Sequence, residues 1–428
     1  MENFILDLLR ASGVDGWTVA DEHRRGWEFY FIRHALDQNR VRDVEHIMLT
    51  VYKRFSEGGQ EFLGSASAGI SPTASRAEAE KLIAQLLSEA GLIRNPIYRL
   101  NEPRGEAAPI AAAPDLRAVS GDFIRAMRSV EESGDAFVNS YEIFADCVER
   151  RFISSTGIDV TDVYPASMTE VVVNARRESH EIELYRMYRS GSCDAAAMKA
   201  NVEETLRIGR DKLRAGKTPA LGKCDVVFST DDALQLYRYF IDRMSTNMVY
   251  MRISDFELGK RVCADEGGDP LTVRALRRLE NSSHNGAYDD EGAPVRDMTI
   301  IENSVAKSYF GSRMFSQYLG LEDSFIPGNI AVDGGAADAA ELRTGRFLEV
   351  VEFSDFQVDP TSGDIAGEIR LGYLHDGDKV TVVEGGSVSG TMRELAGTMR
   401  FSRERKQYNN YLIPAVTRLY GASITGAE

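Results

Sequence analysis

The stretch "TGRFLEVVEFSDFQVDPTSGDIAGEIRLGYLHDGDKV", from Thr344 to Val380, decides the fold of the C-terminal half of the chain. Its strand-like runs are separated by the turn-rich segments "DPTSGD" and "HDGD". An Asp-Gly pair is a strong hairpin signal, because type I′ turns need residues with positive φ. Parallel strands would need long helical crossovers, for which this stretch has no room. We therefore predict antiparallel hairpins that form a curved or barrel-like sheet.

The N-terminal half shows a repeated order of helix, strand-like runs and helix. The runs "WEFYFIRH", "VEHIMLTVYKRF" and "EFLGSASAGI", separated by "LDQN" and "SEGG", predict an antiparallel meander. Ser75 and Glu78 form the capping-box pattern of the next helix, and Gly91 ends it. After a proline-containing linker, residues 101–116, a second helix precedes more strand-like runs, from Ala136 to Tyr188, and a long helix follows them. We expect two similar helix-meander units.

These patterns together predict an α+β protein with two regions. The N-terminal α+β region, residues 1–218, would consist of antiparallel meanders packed with helices. The C-terminal domain, residues 219–428, would be β-rich and would contain the curved or barrel-like sheet. Its first buried strand is expected at "CDVVFS", and a helix from Asp231 to Ser245 would follow.

The composition is typical of a soluble globular protein, with 43% hydrophobic and 27% charged residues in a chain of 428. A net charge of −16 argues against a nucleic-acid partner, because such binding needs a surplus of Lys and Arg on one face. No apolar run reaches the ~18 to 20 residues of a membrane helix, and the first residues lack signal-peptide features. Cys147, Cys193, Cys224 and Cys263 are widely spaced, which predicts reduced, mostly buried thiols. We expect a cytoplasmic protein without membrane contact.

The stretch "RRESHEIELYRMY", from Arg176 to Tyr188, begins like a zinc-peptidase motif at His180 and Glu181. Metallopeptidase histidines lie on a helix, where side chains one turn apart converge on one ion. Here "TEVVVNA" and "IELYRMY" predict a β-hairpin with "RRESHE" at its turn. We interpret His180 and Glu181 as a solvated turn pair. The alternative is a metal site that residues distant in sequence complete.

Two other stretches suggest sites that we interpret as turns. "EGGSVSGTMREL" could cradle a phosphate at a helix start, but it lacks the lysine of a P-loop, so a tight turn is the better interpretation. "YDDEGAP", from Tyr288 to Pro294, is acidic like a calcium loop but lacks the alternating ligand spacing of an EF-hand. We interpret it as an acidic turn.

The order of several motifs resembles the TldD/PmbA family, often named modulator of DNA gyrase. In the C-terminal half these are "YDDEGAPVRDMTIIENSVAKSYFGSRMFSQYLG", the Thr344–Val380 stretch, "VEGGSVSGTMREL" and "YLIPAVTRLYGASITG". In the N-terminal half "GSASAGIS" and "ISSTG" resemble family stretches, and "TPALGKCDVVFSTDDA" does so at the junction. The resemblance covers most of the chain, and its specificity lies in the order and spacing of the motifs.

The resemblance has a consequence for zinc. TldD-type members are zinc peptidases whose H-E-x-x-x-H motif lies on the helix after the first strand of the C-terminal domain, with a cysteine further on. TldE/PmbA-type members lack these ligands and pair with a TldD-type subunit. The matching helix here, "DDALQLYRYFIDRMS", contains neither His nor Glu, and no cysteine follows Cys263. The resemblance therefore implies the TldE/PmbA-like branch, no zinc or other cofactor in this chain, and zinc only in a TldD-type partner.

Three functions remain open on this basis. The leading hypothesis is a non-catalytic subunit of a cytoplasmic TldD/TldE-type metallopeptidase complex that acts on unfolded peptides. The first alternative is an autonomous peptidase or other hydrolase with an unconventional site, either a metal bound by His180, Glu181 and residues distant in sequence or a nucleophile that the sequence does not identify. The second is a homodimer with a structural or chaperone-like role. We expect either a homodimer or a heterodimer with a TldD-type relative, and the charge does not support DNA contact.

Overall fold

The structure is a computed structural model that describes residues 3–105 and 107–427. Its N-terminal region is built on one six-stranded antiparallel sheet with the order β3-β2-β1-β4-β5-β6. The strands are β1 (Gly16–Ile32), β2 (Ala35–Glu57), β3 (Gln60–Ile70), β4 (Ala136–Ser154), β5 (Asp159–Arg177) and β6 (His180–Ser190). The helices are α1 (Asn3–Ala11), α2 (Arg76–Ala90), α3 (Leu116–Arg128) and α4 (Ala195–Lys212).

The repeated order expected from the sequence is present along the chain. Strands β1 to β3 lie between helices α1 and α2, and strands β4 to β6 lie between α3 and α4. Alternation along each strand points apolar side chains toward the helices, so that Val19, Leu49 and Val51 are fully buried there. The capping box of α2 is formed, because Ser75 Oγ accepts from the Glu78 amide and Glu78 Oε2 accepts from the Ser75 amide.

The first hairpin differs from the expectation. "LDQN", residues 36–39, lies within β2, and Gln38 and Asn39 pair with Tyr30 and Phe29 of β1. The chain instead turns at residues 33–34, where Arg33 has a φ of 55°. Polar turn formers were misleading here because pairing with β1 continues along the polar run. As a result β2 extends beyond β3, which pairs with it only from Ile47 onward.

The C-terminal half contains a closed five-stranded barrel, which confirms the predicted barrel-like sheet. Its strands follow the circular order β13-β8-β20-β16-β14, and pairing of β13 with β14 closes it. They are β8 (Gly222–Phe228), β13 (Phe347–Val358), β14 (Asp364–Asp376), β16 (Ser387–Thr391) and β20 (Thr417–Thr425). β7 (Gly216–Lys217), β15 (Lys379–Glu384) and β17 (Arg400–Phe401) extend this sheet. The β8–β13 pair is parallel, whereas β13 and β14 are antiparallel, as predicted from "DPTSGD".

A second sheet and four helices complete this half. The sheet has the order β11-β10-β9-β12-β19-β18. Its strands are β9 (Val273–Leu276), β10 (Met298–Glu302), β11 (Val305–Ala306), β12 (Asn329–Val332), β18 (Arg405–Tyr408) and β19 (Tyr411–Pro414). The helices are α5 (Ala233–Arg243), α6 (Thr246–Tyr250), α7 (Arg313–Tyr318) and α8 (Met392–Leu395). Over the residues described, no helix combines the length and apolarity needed to cross a membrane.

The acidic turn "YDDEGAP" of the C-terminal half packs against the N-terminal sheet. Within the turn the Asp289 carboxylate accepts from the amides of Glu291 and Ala293, so this side chain holds the turn itself. Arg150 of β4 donates to Asp290 Oδ1 at 2.6 Å and to the Asp289 carbonyl at 2.5 Å. Gly292 has a φ of +73°, and a Cβ there would lie 2.6 Å from the Phe152 ring. The turn therefore requires glycine both for its backbone and for its close packing against the N-terminal sheet.

The four cysteines are free thiols, as predicted. Only Cys224 is buried, whereas Cys147, Cys193 and Cys263 are half-buried, which is less than expected.

Candidate functional site

Helix α5 is the helix on which the resemblance would place zinc ligands. It begins directly after barrel strand β8, and from Ala233 to Arg243 it contains no His, Cys or Glu. Leu236, Tyr237 and Phe240 are fully buried against the barrel, and the Tyr237 hydroxyl lies 2.7 Å from Thr417 Oγ1 of β20. The donor set of this helix therefore does not fit a zinc site. Its side chains form part of the core.

The turn before α5 carries two neighbouring carboxylates, of which Asp231 is exposed and Asp232 is half-buried. Thr230 Oγ1 donates to Asp232 Oδ2 at 3.1 Å. Burial, followed by the nearby charge of Asp231, raises the pKa of Asp232 to about 6. A carboxyl with this pKa can exchange a proton near neutral pH, but it is not positioned by a second base or nucleophile.

A cleft of about 560 Å³ opens beside this turn. Helix α4, the end of β8, and strands β13, β14 and β15 supply most of its wall. Its lining residues are Glu204, Arg207, Ser229, Thr230, Arg343, Glu349, Val351, Tyr373, His375, Val380 and Lys406. We call it the α5 cleft. Because both halves of the chain contribute to it, its shape depends on their packing.

One wall of the α5 cleft is organised around Glu349 of β13. Arg343 donates to both Glu349 oxygens, at 2.8 Å from Nη2 and 3.1 Å from Nε, and Ser229 Oγ donates at 2.6 Å. Burial alone would raise the pKa of Glu349, but the hydrogen bonds and charge of Arg343 outweigh burial and hold the pKa below its ordinary value. Glu349 is therefore a fully engaged carboxylate, unsuited to act as a general base.

His375 lies next to Arg343 and Glu349 but does not form a catalytic arrangement with them. Its ring stacks on Phe347, with the ring centroids 4.2 Å apart. Burial lowers the pKa of His375, so the imidazole is neutral at pH 7. It can offer one donor and one acceptor to a bound molecule.

The opposite wall is a second polar network. Arg207 Nη1 donates to Asp211 Oδ2 at 2.8 Å and to the Tyr373 hydroxyl at 2.7 Å. The Tyr373 hydroxyl donates to the same Asp211 oxygen at 2.8 Å. Burial raises the pKa of Tyr373, which keeps the phenol protonated. This wall therefore presents fixed hydrogen-bonding groups.

The sequence candidates His180 and Glu181 lie elsewhere. They open strand β6 at the tip of the β5–β6 hairpin, opposite Arg177 and Arg176. Both are exposed, and Glu181 Oε1 accepts from Asn174 Nδ2 at 2.9 Å. Neither lines the α5 cleft. Across residues 3–105 and 107–427, no three His, Cys, Asp or Glu side chains are grouped so that they could hold a metal ion.

Sequence reasoning missed the residues of the α5 cleft. Arg207 and Glu349 lie more than a hundred residues apart, and only the barrel and helix α4 bring them to one cavity. One local signal was available, because Glu349 is a charged residue inside the apolar run "FLEVV". A buried charge in a strand indicates a partner or a functional position.

The fold matches solved structures over almost the full chain. TldE from Thermococcus kodakarensis matches with a TM-score of 0.74 and 15% identity, over 99% of this chain and 100% of that chain. A candidate modulator of a DNA gyrase from Thermotoga maritima matches with a TM-score of 0.75 and 15% identity, over 99% of both chains. Another, from Bacteroides thetaiotaomicron, matches with a TM-score of 0.78 and 16% identity, over 99% of this chain and 98% of that chain.

These likenesses show a shared fold. No curated protein matches the sequence significantly. The sequence of the C-terminal half does match a family model, the PmbA/TldA metallopeptidase C-terminal domain, over residues 221–426. The matched residues include all five barrel strands, the second sheet and helix α5. Residues 221–426 therefore form a C-terminal domain of the PmbA/TldD family.

Proposed function

We propose that this chain is a non-catalytic, TldE/PmbA-like subunit of a metallopeptidase complex that acts on unfolded peptides. The observation that carries the proposal is helix α5. It occupies the place of the zinc-binding helix implied by the family resemblance, yet Leu236, Tyr237 and Phe240 pack into the core and no side chain on it is a His, Cys or Glu. A catalytic zinc needs about three protein ligands and an open position for water. The partner would therefore supply the zinc.

The α5 cleft supports a role in holding polypeptide. Peptide groups need alternating donors and acceptors, and neutral His375 offers one of each beside the Arg207–Tyr373–Asp211 network. These side chains are held on barrel strand β14 and helix α4, so binding costs little side-chain ordering. The cleft would hold a few residues of an extended chain.

A sheet edge offers a second place for an unfolded chain. Residues 36–44 of β2 pair with β1 on one side, and β3 does not reach them on the other. Nearly all of this segment is exposed, including Leu36 and Val41. An extended peptide could add to this edge through backbone hydrogen bonds, which makes recognition largely independent of sequence.

Co-purification from the native cell tests the subunit assignment. The expected result is an H-E-x-x-x-H-bearing family member recovered in about equal amount with this chain, by quantitative mass spectrometry. We expect the complex in the cytoplasmic fraction. Recovery of the chain only with itself would favour the homodimeric, structural alternative and contradict the proposal.

A further inference from the structure

A second cavity, of about 400 Å³, lies between the N-terminal sheet and the acidic turn. The sheet face turned away from helices α1 and α2 forms its floor. Strands β1, β2 and β3 present hydroxyl side chains on this face, namely Thr18, Thr50, Tyr52, Ser65 and Ser67. Thr50 Oγ1 and Ser67 Oγ lie 2.7 Å apart. We call it the hydroxyl cavity, and its lining favours a hydrophilic ligand.

Glu291 of the acidic turn stands in the wall of the hydroxyl cavity. Its Oε2 accepts from the backbone amide of Arg313 at 2.7 Å. Within the part of the chain that the structure describes, the Glu291 carboxylate has no ion-pair partner. Its neighbour Asp290 is paired with Arg150, and Asp289 is occupied by backbone amides. Glu291 is thus a carboxylate that faces a polar cavity without an ion pair, although the Arg313 guanidinium also lines the cavity and partly offsets its charge.

The environment of Glu291 disfavours its ionised form. Burial, and then the charges of Asp289 and Asp290, outweigh the Arg313 amide and guanidinium and raise the pKa of Glu291 to about 7. The phenols of Tyr52 and Tyr98 face the same carboxylate; burial, and to a smaller extent the charge of Glu291, raises their pKa values. An added positive charge in the cavity would therefore stabilise ionised Glu291.

Other buried polar groups at this cavity also lack partners. Asn101 is 7% exposed, and its Oδ1 has no hydrogen-bond partner, although its Nδ2 donates to the Glu291 carbonyl. Ser312 Oγ and the donor Arg313 Nε are likewise buried without a partner. Unsatisfied buried polar groups are uncommon in native structures, and they indicate a place where a hydrogen-bonding ligand could bind. Asn101, Ser312 and Arg313 all line the hydroxyl cavity.

We propose that the hydroxyl cavity binds the primary ammonium group of a small hydrophilic ligand. An ammonium group carries three donors, which match the Glu291 carboxylate, the Asn101 Oδ1 acceptor and the hydroxyl oxygens of the sheet. It also supplies the ion-pair partner that the half-buried carboxylate lacks. A divalent cation fits less well, because Asp289 and Asp290 are already engaged and calcium takes about six to eight oxygen ligands.

The free amino terminus of a short peptide and a hydroxylated amine both carry such a group. The peptide source rests on the proposed peptidase role, whereas the ammonium chemistry does not. Calorimetric titration of the full chain with glycylglycine, N-acetylglycylglycine and ethanolamine distinguishes the sources. Binding of glycylglycine alone assigns a peptide terminus, and binding of ethanolamine alone assigns an amino alcohol. We expect at least one of these two to bind and the acetylated dipeptide not to bind.

The pH dependence tests the carboxylate in the unchanged protein. Because ligand binding requires ionised Glu291, affinity should fall about tenfold for each pH unit below about 7. For glycylglycine it should fall again above about pH 8, where the amino terminus loses its proton. Glu291→Gln should lower affinity at least about tenfold at pH 8. We expect the lost ion pair to cost at least as much free energy as one pKa unit, which is a factor of about ten in affinity. Glu302→Gln, which removes an exposed carboxylate of β10 paired with Lys307, should leave affinity unchanged.

Three results would overturn the proposal. These are binding of neither ammonium ligand to the unchanged protein, equal binding of the acetylated dipeptide, or equal affinity of a folded Glu291→Gln variant. If that variant does not fold, the pH profile of the unchanged protein decides. If neither glycylglycine nor ethanolamine binds but the peptidase complex still forms, this inference is wrong and the proposed function stands.

Discussion

The hydroxyl groups of Tyr237 on helix α5 and Thr417 on strand β20 lie 2.7 Å apart, and both side chains are fully buried. This hydrogen bond holds the middle of helix α5 against strand β20 of the barrel. In a zinc-binding helix one face must remain open to substrate and water. Here the helix contributes Leu236, Tyr237 and Phe240 to the core, so its role in this chain is packing.

The first prediction concerns that bond. Tyr237→Phe should lower the free energy of unfolding by about 1 to 2 kcal/mol, because Thr417 would lose its partner in a buried place. Urea unfolding followed by circular dichroism measures this change. Tyr250→Phe is the control, because Tyr250 is 40% exposed, and it should change stability by less than about 0.5 kcal/mol. Equal stability of both variants would show that α5 is not anchored by this bond.

The second prediction concerns pH. The pKa of Asp232 is raised to about 6 from 3.8, so the folded state holds a proton there that the unfolded chain has lost. This group therefore makes stability fall as pH rises from about 4 to about 6. Asp232→Asn should remove that fall and stabilise the protein by up to about 3 kcal/mol at pH 7, since about two pKa units separate the folded and unfolded states.

Unfolding midpoints measured at about pH 4 and pH 7 check this difference. Asp231→Asn, at the exposed neighbouring carboxylate, is the matched control and should leave most of the difference, reducing it only by the part that the charge of Asp231 contributes to the raised pKa of Asp232. A fall of stability with pH that persists in the Asp232→Asn variant would contradict the assignment.

The third prediction concerns the junction of the two halves. Gly292→Ala places a Cβ 2.6 Å from the Phe152 ring at a φ of +73°, so both strain and overpacking should lower stability, by about 2 to 4 kcal/mol together. Gly345 is the control, because it also has positive φ but a Cβ added to it would meet nothing within 4 Å. Gly345→Ala should cost only about 1 kcal/mol. Thermal unfolding separates the two variants.

The sequence predicted those features that depend on neighbouring residues. The capping box of Ser75 and Glu78 and the glycine-rich turn after Glu57 are local, and both are present. At "HDGD" the hairpin was right but the turn residues were not. The central residues are Gly377 and Asp378, and of these only Gly377 has positive φ, as in a type II′ turn.

Features that depend on distant residues could not be read in the same way. Barrel closure needs β8 to lie parallel to β13, more than a hundred residues later, and no periodicity encodes that pairing. The α5 cleft and the hydroxyl cavity arise the same way, because elements of the N-terminal region meet strands and turns of the C-terminal half. "YDDEGAP" was correctly interpreted as an acidic turn, but the burial of Glu291 follows only from its tertiary position.

The fourth prediction concerns the histidine motif. His180→Ala and Glu181→Ala should change the activity of a reconstituted complex by less than about twofold, because exposed residues at the tip of a hairpin contribute little to stability or chemistry. Peptide cleavage by the complex, measured with each variant, checks this. Loss of activity in a folded His180→Ala variant would support the hidden metal site instead.

Cleavage of unfolded casein tests the central claim most directly. The isolated chain should cleave none, because it offers no set of zinc ligands on α5 and no activated nucleophile in the α5 cleft. Cleavage should begin when an H-E-x-x-x-H-bearing relative is added, and it should exceed the activity of that relative alone. Casein cleavage by the isolated, metal-analysed chain would contradict the account, as would a relative whose activity this chain leaves unchanged.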